Sequence, residues 1–130
     1  MTPLEASQAM YDHVRRGEWA QVAGFMAEDF VIHEPASLPY GGEWRGRDAL
    51  QRLYAEVMGY WRDPVVEWLD LIGSEQHAVA LLILTATAPV SGQRCSQHIA
   101  EVTRFNAEGL MQSMRVHYFD TGAMAQQIAG

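Results

Sequence analysis

Residues 78–105, AVALLILTATAPVSGQRCSQHIAEVTRF, decide the fold. Residues 78–88 and 93–105 are two runs rich in Val, Ile, Leu and Thr, the composition of strands rather than of a capped helix. Between them PVSG, residues 89–92, supplies a turn. A connection this short joins antiparallel neighbours, because parallel neighbours need a crossover of a dozen or more residues. Outward on both sides the same reading repeats. Residues 65–72 and 110–119 read as further strands, separated from the central pair by Gly73–Ser74 and by NAEG, residues 106–109.

Before Pro64 the period changes from two to about 3.6. Residues 4–16 (LEASQAMYDHVRR) place Leu4, Ala9 with Met10, and Val14 near helical spacing, and Gly17 follows as a stop. Residues 18–26 (EWAQVAGFM) put Trp19, Val22, Ala23 and Met26 on one stripe of a second short helix. Residues 30–34 (FVIHE) read as a strand ended by Pro35. Residues 36–46 (ASLPYGGEWRG) read as a loop carrying its own aromatics, Tyr40 and Trp44, a composition suited to shaping a ligand mouth. Residues 47–61 (RDALQRLYAEVMGYW) give the strongest amphipathic pattern, with Leu50, Leu53, Tyr54, Val57, Met58 and Trp61 on one face. Residues 123–130 are expected to form a short helix or a frayed end. Helices with one strand between them, then a four-strand meander, make an α+β order in a single domain over residues 1–130. A long twisted antiparallel sheet curls, so the expected architecture is a cone with three N-terminal helices on its concave face.

The bulk numbers narrow the function. The chain has 130 residues, of which 48% are apolar and 19% charged, a globular composition. Net charge is −7, all nine basic residues are Arg and none forms a run, which argues against a nucleic-acid partner. The start of the chain lacks the pattern of a signal peptide, and the longest apolar run, residues 78–84, is too short to span a bilayer. With Cys95 as the lone cysteine, no intrachain disulfide forms. A cytoplasmic protein with no membrane partner is the expectation. No Gly-rich phosphate loop and no nucleophile elbow occur, and the adjacent His33 and Glu34 point apart on a strand, so no metal or cofactor is expected.

Strand parity sorts the side chains by face. Gln112, Met114, Val116 and Tyr118 form the more apolar set of the last strand, opposite Ser113, Arg115, His117 and Phe119. Ile99, Glu101, Thr103 and Phe105 share a face of the preceding strand, but neither of its faces is cleanly apolar, and parity alone leaves the direction of Glu101 open. Phe30, Ile32 and Glu34 share a face opposite Val31 and His33, unless a bulge at the strand end turns His33 inward.

The chain resembles the ketosteroid isomerase and SnoaL-type polyketide cyclase branch of the nuclear transport factor 2-like superfamily. The resemblance rests on VRRGEW (residues 14–19), IHEP (32–35), WRGRDALQRLY (44–54), AEVTRFNAEG (100–109) and MRVHYFD (114–120), in that order and spacing. It implies a proton-shuttling base at Glu34 and an oxyanion hydrogen-bond donor at Glu101. It implies pocket lining by Tyr54, which in the family supports the oxyanion tyrosine, and by Met114, Val116 and Tyr118 of the last strand. The family's oxyanion tyrosine falls on or next to Met10, and Tyr11 would point about 100° round the helix. Trp44, Met58, Ile99 and Met26 complete the candidate wall.

Two carboxylates sharing an apolar pocket cannot both ionise cheaply, so one serves as acid and the other as base. The expected function is cofactor-independent acid/base chemistry, isomerisation or cyclisation through an enolate, on a small hydrophobic carbonyl compound. The alternatives are a binding module without catalysis, and a dehydratase or epoxide-hydrolase-like enzyme. The face carrying Arg and His among apolar residues is expected to form a homodimer.

Overall fold

The computed structural model describes residues 1–129. Ten elements follow in chain order: α1 (Pro3–Arg15), α2 (Trp19–Ala23), β1 (Met26–Glu34), β2 (Gly42–Arg45), α3 (Ala49–Tyr60), β3 (Arg62–Gly73), β4 (His77–Thr87), β5 (Arg94–Phe105), β6 (Met111–Tyr118) and α4 (Thr121–Ala129). The six strands form one curved sheet in the order β2-β1-β6-β5-β4-β3. The meander β3 to β6 is antiparallel throughout, as its short turns require. β1 pairs with β6 in parallel and with β2 antiparallel.

Two differences from the sequence reading lie at β1 and β2. The second helix ends at Ala23, and Met26 opens β1 instead. The region read as one loop contains β2, with Trp44 opposite Ile32 and Gly42 opposite Glu34. A four-residue edge strand flanked by glycines carries too little alternation to be seen locally. Three helices precede β3, and a fourth closes the chain. The predicted tail falls within α4, except Gly130, which lies outside the described residues.

Local chemistry sets each helix. Thr2 and Glu5 form a reciprocal capping box at the start of α1: the Glu5 amide donates to the Thr2 hydroxyl (3.1 Å) and the Thr2 amide to the Glu5 carboxylate (2.9 Å). α1 lies so close to the end of β3 that a Cβ on Gly73 would stand 2.7 Å from the Leu4 Cβ. Gln97 anchors the segment entering α4, its amide donating to the Asp120 carbonyl (3.1 Å) and its carbonyl accepting from the Asp120 amide (3.0 Å).

The concave face holds the core. Ala78, Ala80, Leu82, Leu84 and Ala86 of β4 are all buried, and so are Phe30 and Ile32 of β1 and Met114 and Val116 of β6. Their alternate neighbours lie on the convex face, where His98 and His117 sit with Leu69 and Phe119 in a shallow groove. No helix among the described residues is long and apolar enough to cross a membrane.

Candidate active site

One rung of the sheet builds the site. Glu101 of β5 stands opposite Val116 of β6, and the parallel register His33–Arg115 continues to bring Glu34 of β1 level with Val116 from the other side. Both carboxylates therefore leave the same face of the sheet, two interstrand spacings or about 10 Å apart at the backbone. The β1 bulge falls between Met26 and Val31, upstream of His33. His33 accordingly stays on the other face, 3.8 Å from the Glu43 carboxylate.

Glu34 and Glu101 line one cavity of about 110 Å³. α3 contributes Leu50, Leu53, Val57 and Met58 to its wall, and the sheet contributes Leu82, Leu84, Ile99 and Val116. Val66 and Trp68 of β3 and Val14 of α1 complete the apolar lining. The polar atoms come almost wholly from two poles.

At the first pole the Tyr118 hydroxyl donates to Glu34 Oε1 (3.0 Å), and the Tyr40 hydroxyl lies 3.4 Å from that of Tyr118. Glu34 is only 7% exposed. Burial pushes its carboxyl up to about 8; the Tyr118 hydrogen bond opposes the shift and the nearby Glu101 adds to it. Burial and the facing Glu34 likewise raise Tyr118, so its proton stays on the phenol.

At the second pole the Tyr11 hydroxyl donates to Glu101 Oε1 at 2.7 Å. Burial raises the Glu101 carboxyl, with the Tyr11 hydrogen bond opposing. Burial also raises Tyr11, as does the Glu101 charge, while Arg15 pulls the other way. At this pole the Tyr11 phenol and the Glu101 carboxyl share one hydrogen bond in a buried setting that favours the protonated form of each.

The residues singled out in the sequence divide into two groups. Glu34, Glu101, Tyr118, Val116, Ile99 and Met58 line the cavity. Tyr54 lines it too, but at the rim: it is 43% exposed, packs on Trp19 at 5.3 Å between ring centroids, and supports no other tyrosine. Met114 and Met26 are fully buried in the core and do not reach the cavity. Trp44 does not line it either; its indole donates to the Tyr40 carbonyl (2.9 Å) and so braces the β1–β2 connection.

Tyr11 is the correction with the largest chemical consequence. Met10, on or next to which the family tyrosine falls, is buried in the core, and its neighbour Tyr11 is the residue that turns into the cavity. The buried face of α1 is wider than the apolar stripe suggested, running over Ala6, Ser7, Met10 and Tyr11. Ser7, Tyr11 and Val14 share a helical face, a spacing that would have revealed it. Tyr40 was read only as a loop aromatic.

Among the described residues no group of three His, Cys, Asp or Glu side chains could hold a metal ion. Nor does the cavity lining include Arg, Asp or His.

A family model described as the SnoaL-like domain matches residues 7–114. No curated protein matches the chain in sequence. Among solved structures, an NTF2-like protein of unknown function from Burkholderia pseudomallei is 23% identical with a TM-score of 0.81, covering 98% of both chains. TerC, co-crystallised with polyporic acid, is 18% identical with a TM-score of 0.78 over 98% of both chains. A Δ5-3-ketosteroid isomerase from Mycobacterium sp. is 25% identical with a TM-score of 0.65, covering 95% of this chain and 97% of that one.

Proposed function

The chain belongs to the SnoaL-like domain family, and on that premise we propose that it is a cofactor-independent acid/base enzyme acting on a small hydrophobic carbonyl compound. The observation behind this reading is the rung Glu34–Val116–Glu101, which aims a proton acceptor and a proton-rich pair into one apolar hollow. A ketone oxygen placed at Tyr11 and Glu101 presents its α-carbon toward Glu34. Glu34 removes the α-proton, the C–H electron pair moves into the new C=C bond, and the carbonyl π pair becomes the enolate oxygen, which the second pole stabilises. Return of the proton to another carbon completes an isomerisation; attack of the enolate carbon on a second carbonyl completes a cyclisation. A base near 8 matches neutral operating pH, and assistance of this type is worth roughly 10²–10⁴ in rate.

The cavity volume supports a modest substrate. An apolar cavity of about 150 Å³ accepts benzene. The present one suits a single ring, with larger compounds extending through the mouth beside Tyr54.

The test is exchange of the α-protons of a small cyclic ketone in D₂O, followed by NMR. The native protein accelerates it and Glu34→Gln abolishes the acceleration; equal rates remove Glu34 from the mechanism. A binding role without turnover draws on one observation: with its carboxyl near 8, only about a tenth of Glu34 is ionised at pH 7. That reading predicts saturable ketone binding with no exchange. The dehydratase or epoxide-hydrolase alternative lacks support, since the lining offers no Arg or Asp.

A homodimer through the convex face belongs to the same reading. Leu69 and Phe119, 46% and 78% exposed, flank His98 and His117 on a sheet face with no helix over it, and light scattering at micromolar concentration giving a monomer would refute it. A cytoplasmic location fits the lone thiol Cys95.

A further inference from the structure

Behind Glu34 the hydrogen bonding continues away from the cavity. Tyr118 carries one hydroxyl proton and gives it to Glu34. The next hydroxyl, that of Tyr40, is buried at 1% exposure on the β1–β2 connection, 3.4 Å from Tyr118. Three contacts fix Tyr40: its ring packs on Tyr60 at 5.8 Å, its carbonyl accepts from Trp44, and the turn beside it closes through Gly41, whose added Cβ would lie 2.2 Å from the Pro35 carbonyl.

Each phenol has one proton to give. The series therefore has a preferred direction. With the Tyr118 proton given to Glu34, the proton between the two phenols is that of Tyr40. Reversing the series would leave the Tyr40 proton without an acceptor in a buried site, which is unfavourable.

We propose that Tyr40 is a positioning residue that acts through Tyr118, two donors in series that hold the Glu34 carboxylate as a hydrogen-bond acceptor facing the cavity. The proposal rests on the reading of Glu34 as the base. It also ties the base to the β1–β2 connection, a segment that does not line the cavity. Other ionisable groups near Glu34 are Glu101 from β5, with Tyr11 behind it, Tyr54 of α3 at the rim and Tyr60 stacked on Tyr40.

The experiment is a ¹³C NMR titration of the Glu34 side-chain carboxyl in the ligand-free protein, for the native chain, Tyr40→Phe, Tyr118→Phe and the double variant. Tyr118→Phe removes a hydrogen bond to a charged group and raises the midpoint by roughly one to two pH units. Tyr40→Phe raises it by about 0.2–0.5 unit, the scale of cooperative strengthening between neighbouring bonds. In the Tyr118→Phe background Tyr40→Phe produces no further shift, because the link has been cut. Equal shifts in both backgrounds, or none in either, overturn the proposal. Should Tyr40→Phe fail to fold, Trp44→Phe, which removes the donor that braces the Tyr40 carbonyl, is titrated in the same two backgrounds with the same criteria. No turnover enters the measurement. A failed coupling thus leaves the base assignment standing, and a failed exchange assay leaves the hydrogen-bond series standing.

Discussion

Replacing Glu34 by Gln should change how the stability of the protein depends on pH. In the unfolded chain the carboxyl titrates near 4.5; in the folded protein burial moves it to about 8. Below pH 4.5 both states carry the proton, and the contribution to stability is fully present. Between 4.5 and 8 the unfolded chain releases the proton while the folded protein keeps it, so stability falls as pH rises through this window. Above 8 both states are ionised and the contribution has gone. One pKa unit corresponds to 1.36 kcal/mol, so the full loss across the window is about 5 kcal/mol. Glu101 shifts in the same direction, and its share of the slope remains after the substitution. Gln keeps an oxygen for Tyr118 but leaves its amide N–H groups short of acceptors, a cost that does not vary with pH. Urea denaturation from pH 5 to 8 should therefore show the native protein losing roughly 3–5 kcal/mol more than Glu34→Gln. Parallel profiles would mean that the Glu34 carboxyl is solvated, and the account of the first pole would fall with it.

Three further outcomes follow from the geometry. Tyr11→Phe leaves Glu101 Oε1 without its donor; stability should drop by about 1–3 kcal/mol and ketone exchange by roughly 10²–10³-fold, and an unchanged exchange rate would remove Tyr11 from the oxyanion pole. Leu84→Ala deletes a buried wall residue, so urea denaturation should report a loss of about 2–5 kcal/mol while calorimetric titration shows bulkier cyclic ketones gaining affinity over small ones. Tyr54→Ala acts at the rim, where the ring is 43% exposed: thermal melts should move little, by less than about 1 kcal/mol, while stopped-flow binding shows faster ligand dissociation.

Much of this site could be read from strand parity. Phe30, Ile32 and Glu34 alternate cleanly with Val31 and His33, and the structure keeps that order because the β1 bulge lies upstream. The direction of Glu101 could not be read that way. Its strand alternates Ile99, Glu101, Thr103 and Phe105 against His98, Ala100, Val102 and Arg104, and only the pairing with Val116 decides between the faces. Tyr11 could not be assigned from periodicity, because the apolar stripe of α1 runs through Met10, whereas the helix buries a face wide enough to include both. β2 was missed because its partner, β1, supplies the pattern that its own four residues lack. The link from Tyr40 to Glu34 joins positions 34, 40 and 118 through tertiary contacts alone, and no local spacing announces it.

The parallel alliance of β1 with β6 carries a consequence for biogenesis. Val31, Ile32 and His33 find their neighbours at Ser113, Met114 and Arg115, more than eighty residues downstream. A ribosome must deliver the chain through β6 before the first strand has a mate on that flank, and closing so long a loop is among the slower steps available to a small domain. Until then a nascent chain carries Phe30 and Ile32 uncovered beside an edge that invites pairing with other molecules. Glu34 meets Glu101 only when this last ladder zips, so a prematurely terminated product would lack the paired carboxylates altogether rather than retain a loosened form of them.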